Sequence, residues 1–150
     1  MSNLVQIVGE KAMKMSTKGR YSLRAVIDIA SHPPTEAVSS RCIAEHARMP
    51  EGYLLQLLRR LKDAGIVKSV RGAGGGYVLA RPADEITVGE VFEAAGEPVM
   101  PVECRGLAGR GECWAEEECR AKVAWRRLNE GISEILNGMT IASLFERPEI

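Results

Sequence analysis

A run of four glycines and one alanine, residues 72–76, separates two short segments of β-forming residues, 66–71 and 77–80. Glycine adopts the backbone conformations of tight turns without steric cost, so this arrangement predicts a β-hairpin. A phosphate-binding nucleotide loop would end in Gly-Lys-Ser/Thr and lead into a helix, which this sequence does not do. The remaining choice is between a plain solvent-exposed turn and a loop that contacts a ligand. The segments before the hairpin favour the second.

Three amphipathic helices are predicted before this hairpin, over residues 17–31, 38–47 and 51–64. The third begins after Pro50, ends at Gly65 and carries leucines at the spacing of a buried stripe. Three helices followed by a basic hairpin is the order of a winged helix-turn-helix, whose third helix enters the major groove of DNA. The hairpin, or wing, would then lie on the adjacent DNA backbone or minor groove, where it offers Lys68, Arg71 and Arg81.

The charge of the chain is divided between its two halves. Residues 1–85 contain 13 Lys and Arg against 8 Asp and Glu, and residues 86–150 contain 7 against 12, although the whole chain is neutral. A basic half joined to an acidic half indicates one module that meets a polyanion and one that does not, with chance asymmetry as the alternative. DNA binding by the basic half would weaken as salt concentration rises.

The length of 150 residues suits one compact domain, or a small domain with an oligomerisation arm. The sequence has no run of about 18 apolar residues, so no transmembrane helix is predicted. Residues 1–12 are too interrupted for a signal peptide, and no basic region precedes their apolar stretch. We therefore expect a cytoplasmic protein.

The carboxyl-terminal half predicts two helices around a loop, followed by a short final helix. Thr87 and Glu90 have the spacing of a capping box that starts a short helix to about Ala95. A longer helix is predicted from about Trp114 to Gly138, and Thr140 is predicted to cap a final helix over 141–145. The long helix carries apolar residues at coiled-coil spacing: Ala121, Trp125, Leu128, Ile132, Ile135 and Met139. We interpret this seam as a dimer interface, with packing inside one subunit as the alternative.

Three cysteines with the spacing C-x8-C-x5-C lie between these helices: Cys104, Cys113 and Cys119. Structural disulfides are rare in cytosolic proteins, so metal ligation or redox chemistry is the better interpretation. Thiolates hold iron–sulfur clusters of the 2Fe-2S or 4Fe-4S type, and such a cluster needs about four ligands. Zinc is less favoured because no C-x2-C pair is present, and a metal-free thiol switch also remains open.

The fourth ligand of such a cluster is not defined by the cysteines. The candidates are a residue of a partner subunit, a small molecule, or one of five glutamates, Glu103, Glu112, Glu116, Glu117 and Glu118. An exchangeable ligand would leave the cluster open to O2 or NO, which favours sensing. Cys42 is predicted to be a small buried hydrophobic residue on the second helix, and His32 and His46 are predicted to have no ligand role.

Four segments of the chain resemble the IscR-like bacterial transcription regulators, a family that includes NsrR and RirA. They are MSTKGRY at 15–21, YLLQL at 53–57, VRGAGGGY at 70–77 and VGEV at 88–91. The similarity runs from about Met13 to Leu144, and residues 1–12 lie outside it as an extension. The resemblance implies a homodimer on a palindromic operator, with an iron–sulfur cluster near each dimer helix.

The resemblance also implies which residues contact DNA. Tyr53 and Gln56 would face the bases, Arg71 would enter the minor groove, and the start of the first helix would lie near the DNA backbone. The full predicted set is Thr17, Lys18, Arg20, Tyr53, Gln56, Arg59, Arg71 and Gly74. Two positions depart from the iron–sulfur cluster regulator that gives the family its name. Leu55 stands where that protein has Glu, which puts its operator preference in doubt. Lys122 stands where it has a ligating His, so the expected fourth ligand is missing.

We therefore predict a mainly α protein with a small β-hairpin wing. Residues 1–12 form an extension, 13–83 the winged helix-turn-helix, and 84–150 the cluster-binding loop and dimerisation helices. The predicted function is a DNA-binding repressor controlled by an iron–sulfur cluster that senses iron, redox state or NO. The alternative is a cluster-independent repressor that uses a thiol switch, a metabolite or a partner protein. A cluster carrier would leave the helix-turn-helix unexplained, and no enzyme motif is present.

Overall fold

The computed structural model describes residues 16–97, residue 99 and residues 119–146. The described elements, in chain order, are α1 (Thr17–Ala30), α2 (Ser40–Ala47), α3 (Glu51–Asp63), β1 (Val67–Val70), β2 (Gly76–Leu79), α4 (Val88–Ala94), α5 (Ala121–Gly138) and a closing 3₁₀ helix (Ala142–Phe145). The predicted fold class, mainly α with one hairpin, is confirmed. The long helix was predicted to begin at about Trp114, but α5 begins at Ala121, and Cys119 and Arg120 before it are not helical. Residues 114–118 lie outside the described residues.

The first three helices pack around one apolar core. The N–H of Gly19 donates to Ser16 Oγ at the start of α1, and the N–H of Cys42 donates to Ser39 Oγ at the start of α2. The predicted stripe on α3 is confirmed, since its four leucines, Leu54, Leu57, Leu58 and Leu61, are all buried. Burial of each leucine contributes about 1.5–3 kcal/mol. The opposite face of α3 is therefore held at a fixed angle and left to solvent.

The wing is an antiparallel hairpin in which Val67 pairs with Leu79 and Val70 pairs with Gly76. Val38 adds an isolated bridge to it. The Val38 N–H donates to Tyr77 O at 3.0 Å, and the Val38 carbonyl accepts from the Tyr77 N–H at 2.8 Å. This bridge explains why α2 begins two residues later than the sequence predicted. Val38 is engaged in sheet-type pairing and cannot join the helix.

The capping box predicted at the start of α4 is confirmed, with Thr87 and Glu90 each accepting the other's backbone N–H. The pKa of Glu90 is lowered chiefly by the Thr87 N–H, which donates to its carboxylate at 2.8 Å. The Arg81 guanidinium, 2.9 Å from the same carboxylate, lowers this pKa further. The end of α5 is tied to the same region, because Val88 N–H donates to Met139 O. Thr140 Oγ1 accepts the N–H of Ser143, so the predicted final cap is also confirmed.

No helix in the described part of the chain is long and apolar enough to cross a membrane.

Candidate nucleic-acid interface

The face of α3 opposite its leucine stripe is polar and exposed. Gln56 and Arg59 both lie there with exposed side chains. Leu55 is a large apolar side chain beside them, and 43% of its surface is exposed. An amide, a guanidinium and an isobutyl group on one exposed helix face suit the mixed polar and methyl edges of the major groove.

Side-chain contacts fix α3 on both sides of this face. On one side Lys62 Nζ donates to Ser69 Oγ of β1 at 3.0 Å, which joins the helix to the wing. On the other side the half-buried Tyr53 ring meets the Tyr21 ring of α1 edge-on, with centroids 6.1 Å apart. Tyr53 was predicted to face bases, and part of its ring is occupied by this contact with α1.

The first turn of α1 presents three exposed polar side chains, Thr17, Lys18 and Arg20. Gly19 lies between them on the buried side of the helix, where a Cβ atom would lie 2.3 Å from the Phe92 ring of α4. Glycine at this position lets α1 and α4 approach closely.

The wing tip is exposed at Arg71, which directly follows β1, and at Gly74. The tight turn depends on Gly72, with φ +115°, and on the N–H of Gly75, which donates to Gly72 O. Arg81, another basic residue that the sequence placed beside the wing, bonds back to its own subunit. Arg81 is held by Glu90 Oε1 and donates to Glu85 O at 3.0 Å, so its guanidinium is committed to the start of α4.

Most of the three-cysteine site lies outside the described residues, since Cys104 and Cys113 are not among them. The five candidate glutamates also lie outside the described residues. Cys119 is described, and it is a partly exposed free thiol two residues before α5. The residues described here contain no group of three His, Cys, Asp or Glu side chains that could hold a metal ion. The described part therefore supplies one of the three predicted thiols, placed at the amino-terminal end of the long helix.

One expectation outside the main site is wrong. Cys42 is exposed rather than buried, because the buried residues of α2 are Ile43, Ala44 and Ala47, and Cys42 falls one position off that stripe. His46, which was predicted to have no ligand role, has its Nδ1 2.9 Å from Asp28 Oδ1 of α1. This contact joins α2 to α1.

The predicted seam on α5 is largely open in the single chain. The exposed fractions are 38% for Trp125, 43% for Leu128 and 63% for Ile135, and Ile132 is half-buried. A different face of α5 meets α4, where a Cβ on Gly89 would overlap the Asn137 side chain. Trp125, Leu128 and Ile135 of the seam are thus left open by the described residues of their own subunit, whereas Met139 at its end packs against the core.

A helix-turn-helix with an exposed polar third helix and an adjoining hairpin defines a winged helix-turn-helix DNA-binding protein. Residues 15–147 match the Rrf2 family, described as an iron-dependent transcriptional regulator. The chain belongs to this family. It is 42% identical over 138 residues to the HTH-type transcriptional regulator IscR of Erwinia tasmaniensis, covering 92% of this chain and 82% of that protein.

Solved structures agree with this assignment. IscR of T. potens is 35% identical, with a TM-score of 0.71 over 91% of this chain and 88% of that one. CymR of B. subtilis, described as its global cysteine regulator, is 37% identical, with a TM-score of 0.70 over 87% of this chain and 95% of that one. The chain is thus a DNA-binding transcription regulator rather than an enzyme.

Proposed function

We propose that this protein is a homodimeric repressor of a palindromic operator, and that an iron–sulfur cluster on Cys104, Cys113 and Cys119 controls its DNA binding. The observation that carries the proposal is the position of Cys119. This free thiol lies at the start of α5, the helix with the open seam. A cluster there would adjoin the proposed subunit interface. Because the ligand is chromosomal DNA, we place the protein in the bacterial cytoplasm.

The donor set fits a cluster better than it fits zinc. Three soft thiolates without a C-x2-C pair suit iron and sulfide, and the partial exposure of Cys119 leaves room for an inorganic core. When bound, the cluster would supply a centre that reacts with oxidants or NO, or that is lost when iron is scarce. The fourth ligand and the cluster type are left open within this proposal.

DNA recognition is assigned to the exposed face of α3, supported by α1 and the wing. Gln56 can pair with adenine through both ends of its amide, and Leu55 can contact a thymine methyl group. Arg71 would enter the minor groove, and Gly74 would let the backbone of the wing tip approach phosphate. Lys18 and Arg20 would contact phosphates, which position the protein without reading sequence.

Replacing Gln56 by alanine should relax base preference at one position of each half-site. The binding free energy should weaken by about 1–3 kcal/mol for operators with the preferred base and change little for the others, because a bidentate base contact is removed. The matched control is Arg59→Ala on the same face, which should weaken binding to all sequences alike if Arg59 meets phosphate. Competitive binding to operators varied at single positions measures both. Equal weakening on every base by Gln56→Ala would contradict the assignment.

The central test is anaerobic purification with absorbance, iron and sulfide assays, followed by operator titration before and after chelation of iron. We expect a coloured protein whose operator affinity changes at least tenfold when the cluster is removed. The variant Cys104→Ser/Cys113→Ser/Cys119→Ser should be colourless and bind as the cluster-free protein does. The control Cys42→Ser removes the one cysteine that lies more than 60 positions before this group in the sequence and should leave both properties unchanged. A colourless wild-type protein that binds the operator fully would overturn cluster control.

A thiol switch is the second candidate function. It is favoured by the exposed free thiol of Cys42 in the first turn of α2, a helix of the DNA-binding unit. A bulky or charged adduct there would lie near the expected DNA surface. In that case Cys42→Ser would abolish the response to oxidants, whereas substitution of the other three cysteines would leave it intact. The two candidates are therefore separated by the same set of variants.

A further inference from the structure

We propose that Arg60 is the positioning residue that couples the cysteine-bearing segment to the DNA-reading face of α3. The inference rests on the proposed function and names its route of control. Arg60 Nη1 donates to Ala95 O at 2.8 Å, a partly buried bond between residues 35 positions apart. One end of this contact is in α3, one helical turn after Gln56. The other end is the residue that closes α4.

The end of α4 is built so that this carbonyl is held in one place. The N–H of Gly96 donates to Glu93 O at 2.9 Å, and the N–H of Glu97 donates to Phe92 O at 3.2 Å. With Gly96 in the left-handed region at φ +79°, these two bonds form a Schellman motif. The motif satisfies carbonyls earlier in α4, and the Ala95 carbonyl is satisfied by Arg60. The chain then runs from Gly96 to Cys104 in eight residues.

The Arg60 guanidinium lies directly beside Gly96. A Cβ atom on Gly96 would lie 2.5 Å from Arg60 Nη1, so the guanidinium fills the space beside that glycine. At its other side α4 meets the start of α1, where Phe92 occupies the space beside Gly19. A displacement of α4 would therefore reach α3 through Arg60 and the first turn of α1 through Phe92. Both elements carry residues assigned to DNA.

The chemistry of Arg60 distinguishes it from the other supports of α3. The leucine stripe holds α3 against the core through apolar contacts, and hydrophobic contact is not directional. A hydrogen bond from a charged donor is directional and weakens steeply when its angle or length changes. Arg60 is thus the contact through which a small movement at the end of α4 would change the angle of α3.

The test compares operator affinity with and without cluster in four full-length proteins: wild type, Arg60→Ala, Arg60→Lys and Arg59→Ala. The measured quantity is the ratio of the two affinities. We expect Arg60→Ala to bring this ratio at least fivefold closer to one, within the usual range of coupling between sites. Arg60→Lys should restore part of the ratio, since an ammonium group can still donate to Ala95 O. Arg59→Ala should lower both affinities by one factor and leave the ratio unchanged.

Each outcome bears on a different claim. A wild-type ratio of one overturns the proposed cluster control, and with it the coupling role of Arg60. A wild-type ratio of tenfold or more that persists in Arg60→Ala overturns the role of Arg60 and leaves cluster control standing. If Arg60→Ala loses its cooperative thermal transition, Arg60→Gln replaces it under the same criterion. A purely structural role would lower stability without moving the ratio.

Discussion

Replacing Ile135 by glutamate should convert the protein to a monomer and reduce operator affinity at least 100-fold. Ile135 is 63% exposed in the single chain and lies in the open seam of α5. Covering such a side chain in a dimer contributes about 1.5–3 kcal/mol, and a glutamate there would place two unpaired carboxylates in the interface. Loss of the dimer separates the two half-site readers, and linked binding typically contributes 10²- to 10⁴-fold.

The chain offers a matched control for this substitution. Val123 is 56% exposed on the same helix but lies outside the spacing of the seam. Val123→Glu should remain dimeric and bind the operator normally. Light scattering on a sizing column gives the oligomeric state, and titration of labelled operator gives the affinity. A dimer in Ile135→Glu, or a monomer in Val123→Glu, would show that the subunits meet elsewhere.

Adding one methyl group at Gly76 should destabilise the protein by about 1–3 kcal/mol, the usual effect of forcing a group into filled space. A Cβ at this position would lie 2.3 Å from the Val38 carbonyl oxygen and 2.8 Å from the Ser39 nitrogen. These are backbone atoms, so the strand or the start of α2 must move. We expect Gly76→Ala to lower the free energy of unfolding and also to weaken operator binding, because the wing is displaced.

Gly74→Ala separates these two effects. No atom lies within 4 Å of a Cβ at Gly74, and its φ is not in the left-handed region, so its unfolding free energy should change by less than about 0.5 kcal/mol. Its operator affinity should still fall if the wing tip approaches phosphate closely. Urea denaturation followed by fluorescence gives the stability of each variant. Equal stability of Gly76→Ala and wild type would show that the bridge to Val38 is not rigid.

Much of the architecture could be predicted because its signals are local. The leucines of α3, the Thr87 and Glu90 capping box, and the stop at Gly65, whose φ is +71°, act over one or two helical turns. The start of α2 was misplaced by two residues, since the bridge from Val38 to Tyr77 spans 39 positions. Cys42 was predicted to be buried because cysteine usually is, but it lies one position off the buried stripe of α2 and is exposed.

The candidate site was predictable in outline but not in its connections. The sequence indicated an exposed polar face on the third helix, and Gln56 and Arg59 do lie there. It provided no signal that Arg81 would be paired with Glu90 rather than free for DNA. It likewise provided no signal that the exposed Arg60, adjacent to Arg59, would donate a hydrogen bond to Ala95 O. Two neighbouring arginines of one helix thus have different roles that only their surroundings distinguish.

The sequence by itself determined the order of the helices, the hairpin, the buried stripe and the spacing of the three cysteines. Helix caps, glycine turns and hydrophobic periodicity act between residues a few positions apart, so they can be read along the chain. Only the tertiary structure decided which charged side chains stay free for a ligand and which are held by a distant carbonyl or carboxylate. Such partners are brought together by packing of the core, and their pairing depends on distances that no local pattern encodes.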